Sequence, residues 1–421
     1  MKFRERLFFL SYFSVLFTVN CILSSCLSDF VDHILSGLAG LGKHAMFSKR
    51  KKLFGRGLSL GMDPALLFRK TGILISAFLI LAVHSSVMGQ DEQADSKVGV
   101  GKLARDISVK IDGVPAVIPD NIIQSIHLGQ KYLKKRQASD GSFHRGNGTA
   151  SVAIGTLALM VNGSVPGCGP HGKEVAKGVD YLIKKAQSSG LIAIKDCDGG
   201  IMYHHALSTL CLAEVWGMTV RNDIKPVLKR AVELIIRSQN REGGWRYAPR
   251  PRDADVSVTV MQIVALRAAQ NAGISVPEQT IKDAVNYVKR CYDKEREGFK
   301  YQPDRKGVNV AKTAAGVLSL QLCGLYESEE VKKGCKYISR NIDKKKEERW
   351  FFYGQYYAMQ AMYQSRRGED WTNWYFGSCK KIMAKQKKSG RDIGGYRKVY
   401  QTGMAALAVG LPYRYLPIYQ R

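Results

Sequence analysis

The chain has 421 residues, of which 45% are hydrophobic and 24% are charged, and its formal net charge is +28. Residues 1–89 hold 11 basic and 4 acidic residues, so a net charge of +21 remains on the rest of the chain. This charge is not accompanied by an Arg-rich stripe with interleaved aromatics or by zinc-finger spacing. We therefore do not expect nucleic-acid binding. Nine cysteines without a Cys-x-x-Cys pair argue against a structural zinc site and a full disulfide framework.

Two apolar stretches stand at the N-terminus. Residues 72–83 follow Arg69-Lys70 and precede the small residues that end at Gly89, an order typical of a cleaved signal peptide. Residues 7–27 could cross a bilayer.

The predicted domain organisation follows from these stretches. We expect a gene-model extension or membrane segment at 1–61, a signal peptide at 62–89, a polar linker at 90–105 and the main domain at 106–421. The chain is therefore predicted to be exported to the periplasm or cell envelope, with anchoring through the N-terminal segment as an alternative.

The main domain is a sixfold repeat with a period of about fifty residues, which is typical of repeat architectures. Each copy contains a first helix with a charged side, a turn that is usually Gly-rich and closed by an aromatic or aliphatic residue, and a second helix rich in small residues. Glycine accepts the positive φ that a chain reversal requires. The turns are predicted at 138–143, 188–192, 242–245, 297–301 and 394–396, while the fifth turn, at 348–353, lacks glycine.

The second helix of each repeat is apolar on nearly every face, which predicts burial, whereas the first helices carry charge on one side. Six buried and six exposed helices in alternation predict an all-α fold, an (α/α)6 toroid of six helical hairpins; a bundle or an open solenoid is the alternative. The second helices are predicted at 149–161, 204–216, 256–269, 311–323, 356–365 and 402–409, and two of the first helices at 175–187 and 280–289.

Parallel inner helices would open all their N-termini, and so their positive dipole ends, at one mouth of the ring. We expect any ligand to bind there. The polar and aromatic residues predicted at this mouth are Asn147, Thr149, His204, His205, Asp253, Asp255, Asn309, Lys312, Gln355, Tyr356, Tyr400 and Thr402.

The third repeat contains Gln239-Asn-Arg-Glu-Gly-Gly-Trp245, followed by Asp253-Ala-Asp255 and a small-residue helix. This combination resembles the prenyltransferase and squalene-cyclase repeat superfamily, and the likeness runs from near residue 106 to near residue 411. The chain is also similar to uncharacterised exported bacterial members, which share the look of 202–205, 352–357 and 415–421. The resemblance implies a toroid but leaves the chemistry open, because one fold serves several functions.

Class II terpene cyclases of this superfamily protonate an alkene with an Asp-x-Asp-Asp motif. The resemblance implies that Asp255 is the acid and Asp253 its partner, with Val256 standing where those enzymes have a third carboxylate. Related protein prenyltransferases bind zinc through a cysteine that this turn lacks, so we expect no metal and no cofactor.

Several aromatic residues and histidines are predicted to bind the ligand. Aromatic faces stabilise cations and suit an isoprenoid tail, and histidines at the mouth could hydrogen-bond or exchange protons. The predicted ligand-binding residues are His204, His205, Tyr247, Trp350, Tyr353, Tyr356 and Tyr357.

Three functions stay open from the sequence. The first is binding of a hydrophobic or isoprenoid-like ligand, with Asp255 as the acid of a cyclase or transferase. The second is a non-catalytic envelope scaffold that binds a protein or an acidic polymer. The third is a polysaccharide-cleaving toroid, with acids drawn from Asp196, Asp198, Asp253 and Asp304. Dry aromatic walls would favour the first, a side-chain-filled channel the second and a polar groove the third.

Overall fold

A computed structural model describes residues 108–111, 114–143, 148–194, 200–341, 350–365, 368–386, 398–413 and 415–420. These residues belong to one compact unit. The predicted leader and linker, the mouth residue Asn147, the acids Asp196 and Asp198 and the turn at 394–396 lie outside the described residues. The domain boundaries therefore stay predictions.

The described residues form twelve α-helices, which alternate between an outer and an inner position. The outer, odd-numbered helices are α1 Asp120–Arg136, α3 Gly172–Lys185, α5 Ile224–Arg237, α7 Glu278–Arg290, α9 Glu329–Asn341 and α11 Gly368–Lys385. The inner, even-numbered helices are α2 Gly148–Met160, α4 Ile201–Met218, α6 Val256–Asn271, α8 Val310–Leu322, α10 Phe351–Gln364 and α12 Lys398–Val409.

The six inner helices form a closed ring. Each packs against the next in chain order, and α12 returns to pack against α2, so that no inner helix has a free lateral face. The outer helices pack around this ring, each against its neighbouring inner helices. The predicted (α/α)6 toroid is confirmed, and the open solenoid is excluded by the contact between α12 and α2.

Burial separates the two sets of helices as the sequence predicted. In α2 every residue after Gly148 is buried, and α8 is buried at all but one position. In α5, by contrast, the buried residues recur at three- and four-residue intervals, from Ile224 through Val227 and Leu228 to Ala231. This spacing places them on one face of the helix. The outer helices therefore contribute one apolar stripe to the hydrophobic core, whereas the inner helices contribute nearly all of their surface.

At the glycine turns, the backbones of neighbouring repeats come into close contact. Gly243 has φ +88°, and a Cβ built on it would lie 2.2 Å from the carbonyl oxygen of Asp283 in α7. Gly190 repeats this geometry, with φ +89° and 2.2 Å to the carbonyl oxygen of Arg230 in α5. Gln239, the glutamine of the motif, links the turn to helix α7: its side-chain amide donates to Gly243 O at 2.8 Å and to Thr280 O at 2.9 Å.

In the third and fourth repeats the aromatic that closes the turn is buried at the corner, and its backbone is bonded to the inner helix. The Trp245 N–H donates to Thr259 Oγ1 at 3.1 Å, and the Phe299 N–H donates to Thr313 Oγ1 at the same distance. The Trp245 indole also donates to Ile235 O at 2.7 Å. A threonine in the first turn of the inner helix thus satisfies a buried amide that no helix can bond.

Short strands and the C-terminal tail complete the described fold. β1 Ser108–Ile111 and β2 Val114–Val117 form an antiparallel hairpin, as do β3 Tyr292–Asp293 and β4 Gly298–Phe299, where Tyr292 pairs with Phe299. The 3₁₀ turn Pro417–Tyr419 packs against α4 and α6, and the Ile418 N–H donates to Glu214 Oε2 at 3.1 Å. None of the described helices has the length and apolar character needed to span a membrane.

Candidate functional site

A cavity of about 690 Å³ opens at the N-terminal mouth of the inner helices. Every inner helix contributes a residue from its first turn, so the cavity lies where the six helices converge. These first-turn residues are Ala150, Tyr203, Ser257, Ala311, Tyr353 and Tyr400. Six helix N-termini facing one space make the electrostatic potential there positive.

Aromatic rings dominate the wall of this cavity. Two are exposed, with Trp350 51% and Tyr247 38% accessible, while the others are partly buried. Burial raises the pKa of Tyr203, Tyr301 and Tyr353 above the ordinary tyrosine value, so their hydroxyls stay protonated and can donate hydrogen bonds. The six lining aromatics are Tyr203, Tyr247, Tyr301, Trp350, Tyr353 and Tyr400.

Polar groups interrupt the aromatic wall at the start of α8 and in α4. Asn309 caps α8 by accepting the Lys312 N–H at 2.9 Å, and the Lys312 ammonium donates to Gly307 O at 2.5 Å. Lys312 and His204 line the cavity beside Asn309. Lys312 is the one formally charged residue among the described lining residues. Its positive charge adds to that of the helix N-termini, which are the positive ends of the helix dipoles.

Asp255 is the N-cap of α6 and is completely buried. Its Oδ1 accepts the Ser257 N–H at 2.8 Å and the Val258 N–H at 2.9 Å, and its Oδ2 accepts Arg246 Nη1 at 2.7 Å. Burial raises the pKa of this carboxyl, and the Val258 hydrogen bond and the Arg246 charge oppose the increase. The carboxylate is held behind the cavity wall and is not among the lining residues.

Arg246 connects Asp255 to the lining tyrosines. Its Nη1 also donates to Tyr301 Oη at 2.9 Å, and its guanidinium lies over the Tyr247 ring, 4.4 Å from the centroid. The Tyr247 and Tyr301 hydroxyls are hydrogen-bonded to each other. A positive charge thus stands directly behind a pair of phenols that line the cavity. Burial and the Asp255 charge raise the pKa of Tyr301, and the Arg246 charge opposes the increase without cancelling it.

Asp253, the predicted partner of Asp255, lies on the outside of the same loop. Its side chain is 52% exposed and contacts Arg246 Nε at 3.4 Å. Gln302 Nε2 donates to its Oδ2 at 3.0 Å. The two aspartates therefore share Arg246, although Asp253 is not a lining residue.

The two predicted histidines occupy different environments. His204 lines the cavity, and its Nδ1 accepts the Ala150 N–H at 3.3 Å. His205 lies outside the lining: its Nδ1 accepts the Ile192 N–H at 3.1 Å and its Nε2 bonds Ala231 O at 3.1 Å. Burial lowers the pKa of His205 to about 4, so it is neutral and fulfils at this corner the role of Thr259 at the next one.

The aromatic residues predicted from the fifth repeat occupy two different environments at α10. Trp350 and Tyr353 line the cavity, whereas Tyr356 and Tyr357 are each only 1% exposed and belong to the core. Tyr357 connects the two groups, with its ring 4.7 Å from that of Tyr353 and 4.9 Å from that of Tyr356. The ligand-binding roles of all four residues stay predictions.

The site includes Tyr203, Tyr301 and Arg246, which sequence reasoning missed. A signal for Tyr301 was present, because Trp245-Arg-Tyr247 and Phe299-Lys-Tyr301 place a tyrosine two residues after the corner aromatic in consecutive repeats. Within the part of the chain that the structure describes, no group of three or more His, Cys, Asp or Glu side chains could hold a metal ion.

The fold and the mouth cavity define the chain as an α/α toroid protein. No protein-family model matches its sequence, and no curated protein sequence is significantly similar. Solved structures share the toroid at very low sequence identity. An inactive variant of the GH76A α-1,6-mannanase of Salegentibacter sp. HEL1_6, in complex with α-1,6-mannotriose, is 8% identical with a TM-score of 0.52, covering 70% of this chain and 99% of that one.

Two further toroids have a comparable similarity. A polysaccharide lyase is 9% identical with a TM-score of 0.50 and covers 70% of this chain and 98% of its own. Cellobiose 2-epimerase from Bacillus thermoamylovorans B4167 is 11% identical with a TM-score of 0.50 and covers 70% of this chain and all of its own. At these identities the similarity demonstrates the shared fold alone.

Proposed function

We propose that this protein is a carbohydrate-active toroid that binds an acidic polysaccharide in its mouth cavity and cleaves it by elimination. The observation that carries the proposal is the lining itself, in which six aromatic rings surround a space with a lysine and six helix N-termini. Aromatic faces suit the C–H faces of sugar rings, and the positive potential suits a uronate carboxylate. The names of the structural neighbours, a mannanase, a polysaccharide lyase and a cellobiose epimerase, support a carbohydrate substrate.

The groups present match the requirements of an elimination. Lys312 pairs with the uronate carboxylate and thereby acidifies the hydrogen on the adjacent carbon. Tyr247, whose ring lies against the Arg246 guanidinium, takes that proton as phenolate. The glycosidic C–O bond on the next carbon breaks, a C=C bond forms, and the protonated Tyr301 hydroxyl donates its proton to the leaving oxygen. The hydrogen bond between the two hydroxyls then returns the abstracted proton from Tyr247 to Tyr301. No water is consumed.

The test uses the full chain with uronate-containing polysaccharides and neutral polysaccharides of matched length. We expect ultraviolet absorbance from the new conjugated C=C bond with uronates alone. Tyr247→Phe should lower kcat by about 10²-fold or more, and Lys312→Met by a similar factor. Lys282→Met, an exposed change on outer helix α7, is the matched control. New reducing ends without absorbance would indicate hydrolysis, and no cleavage of any uronate would refute the proposal.

A second candidate is binding of a hydrophobic or isoprenoid-like ligand, as the resemblance to the prenyltransferase and squalene-cyclase superfamily implies. The apolar lining residues Ala150, Leu207, Met261 and Ala311 favour it. Native mass spectrometry with lipid extraction of protein from its own envelope distinguishes the two. A bound isoprenoid that accumulates unprocessed in Asp255→Asn would support cyclase chemistry, whereas an empty cavity in both proteins would contradict it.

A further inference from the structure

Two loops next to the cavity carry exposed cations. The loop before α6 places Tyr247 in the cavity wall and continues to Arg250 and Arg252 at the surface. The loop before α8 likewise begins at Tyr301 and continues to two exposed cations. We call the four exposed cations, Arg250, Arg252, Arg305 and Lys306, the basic rim.

Hydrogen bonds join the two loops into one surface. The Val256 N–H at the start of α6 donates to Tyr301 O at 3.0 Å. Gln302 Nε2 donates to Ala254 O at 2.8 Å, and its Oε1 accepts Arg305 Nε at 3.4 Å. The basic rim is therefore supported by the same backbone that positions the lining tyrosines.

The surface formed by these two loops carries an excess of positive charge. Of the two exposed carboxylates in these loops, Asp253 is already paired with Arg246 and Gln302. Asp304 is the other, so the four cations of the basic rim face one remaining carboxylate. Exposed cations at this density attract a polyanion, and salt weakens the attraction.

Resting on the proposed function, we propose that the basic rim is a second binding site, which holds uronate residues of the same polysaccharide outside the cavity. A cavity of about 690 Å³ has the size of a small-molecule site and encloses only a short segment of a polymer. The polymer must continue beyond the mouth, and the loops that carry Tyr247 and Tyr301 lead it across the basic rim. The protein then binds within polysaccharide chains and prefers long substrates to short ones.

The test compares two fourfold variants of the full chain with the same change in net charge. The rim variant carries Arg250→Gln, Arg252→Gln, Arg305→Gln and Lys306→Gln. The control variant carries Lys173→Gln, Lys177→Gln, Lys229→Gln and Lys336→Gln, all exposed positions on outer helices. Binding of a polyuronate and of a uronate trisaccharide is measured by calorimetry at several salt concentrations, beside cleavage of both.

We expect the rim variant to raise the ratio of polymer Kd to trisaccharide Kd about tenfold and to reduce the salt dependence of polymer binding. The control variant should keep the wild-type ratio. An unchanged ratio in the rim variant, or an equal change in the control variant, overturns the inference while leaving the proposed function standing. A wild-type chain that neither binds nor cleaves polyuronate refutes the proposed function and the inference with it.

Discussion

At the scale of single residues, the molecule depends on positions where one repeat touches the next. Gly243 combines a positive φ with a neighbouring carbonyl 2.2 Å from where its Cβ would be. His205 and Thr259 perform the same task at successive corners, each accepting an amide N–H from the preceding turn. The contacts of these residues stabilise the fold. His205 and Thr259 each accept a buried backbone N–H, and Gly243 leaves room for a backbone carbonyl.

Gly243→Ala should destabilise the fold by more than about 3 kcal/mol, because it adds backbone strain and forces α7 away from the turn. Gly273→Ala is the matched control: Gly273 has φ +81° and no atom within 4 Å of its Cβ position. It should cost only the strain of the positive φ, about 1–2 kcal/mol. Urea unfolding of both variants measures the difference, and equal losses would contradict the role of the close contact.

At the scale of elements, the C-terminal tail and inner helix α4 form a buried polar contact. Glu214 is completely buried on α4 and accepts the Ile418 N–H, while burial raises its pKa to about 8. Burial raises the pKa values of the neighbouring Tyr356 and Tyr419, and the charge of an ionised Glu214 adds to the increase. The tail is therefore tied to the ring by a carboxyl group that the folded protein keeps protonated below about pH 8.

Glu214 predicts a pH-dependent stability with a definite sign. Since its folded pKa of about 8 exceeds the ordinary value of 4.5, its contribution to the free energy of unfolding is greatest below pH 4.5 and declines until about pH 8. The decline amounts to on the order of 5 kcal/mol. Glu214→Gln should remove it and leave the variant the more stable protein at pH 8.

Denaturant unfolding at pH 5 and pH 8 measures this effect. Glu278→Gln, which alters a fully exposed carboxyl on α7, is the control and should keep the wild-type pH dependence. A wild-type slope in Glu214→Gln would show that another group controls the stability between these pH values.

At the scale of the whole molecule, the fold depends on one seam, where the last inner helix meets the first. Gly403 in α12 packs directly on Ile154 in α2, and a Cβ at Gly403 would lie 2.4 Å from Ile154 Cγ2. Closure of the ring brings all six helix N-termini around one space. The cavity is therefore a property of the closed ring, to which each repeat contributes only a sector.

Gly403→Ala should destabilise the toroid by about 2–3 kcal/mol, because the added methyl overpacks the closing seam. Gly377→Ala is the control, since Gly377 lies within outer helix α11 with nothing near its Cβ position. It should be stabilising by about 0.5–1 kcal/mol through helix propensity. Thermal unfolding compares the two, and an undiminished Tm in Gly403→Ala would show that the seam tolerates more volume than the packing indicates.

Much of the fold was predictable because its signals are local. The predicted inner helix at 256–269 is observed as Val256–Asn271, and the predicted outer helix at 280–289 as Glu278–Arg290. The site was predictable only in part. His204 and Lys312 were expected at the mouth and line the cavity, but Asp255 lies behind the wall because Arg246 and two helix amides occupy its oxygens.

The sequence by itself determined the helical repeat, the inner and outer faces and the glycine corners, because these follow from periodicity and turn chemistry within about fifty residues. Only the tertiary structure decided which side chains share the cavity. Tyr203, Tyr301 and Tyr400 come from three different repeats and meet only when the ring closes. His204 and His205 are both fully buried, but only His204 lines the cavity, because successive residues on a helix point about 100° apart.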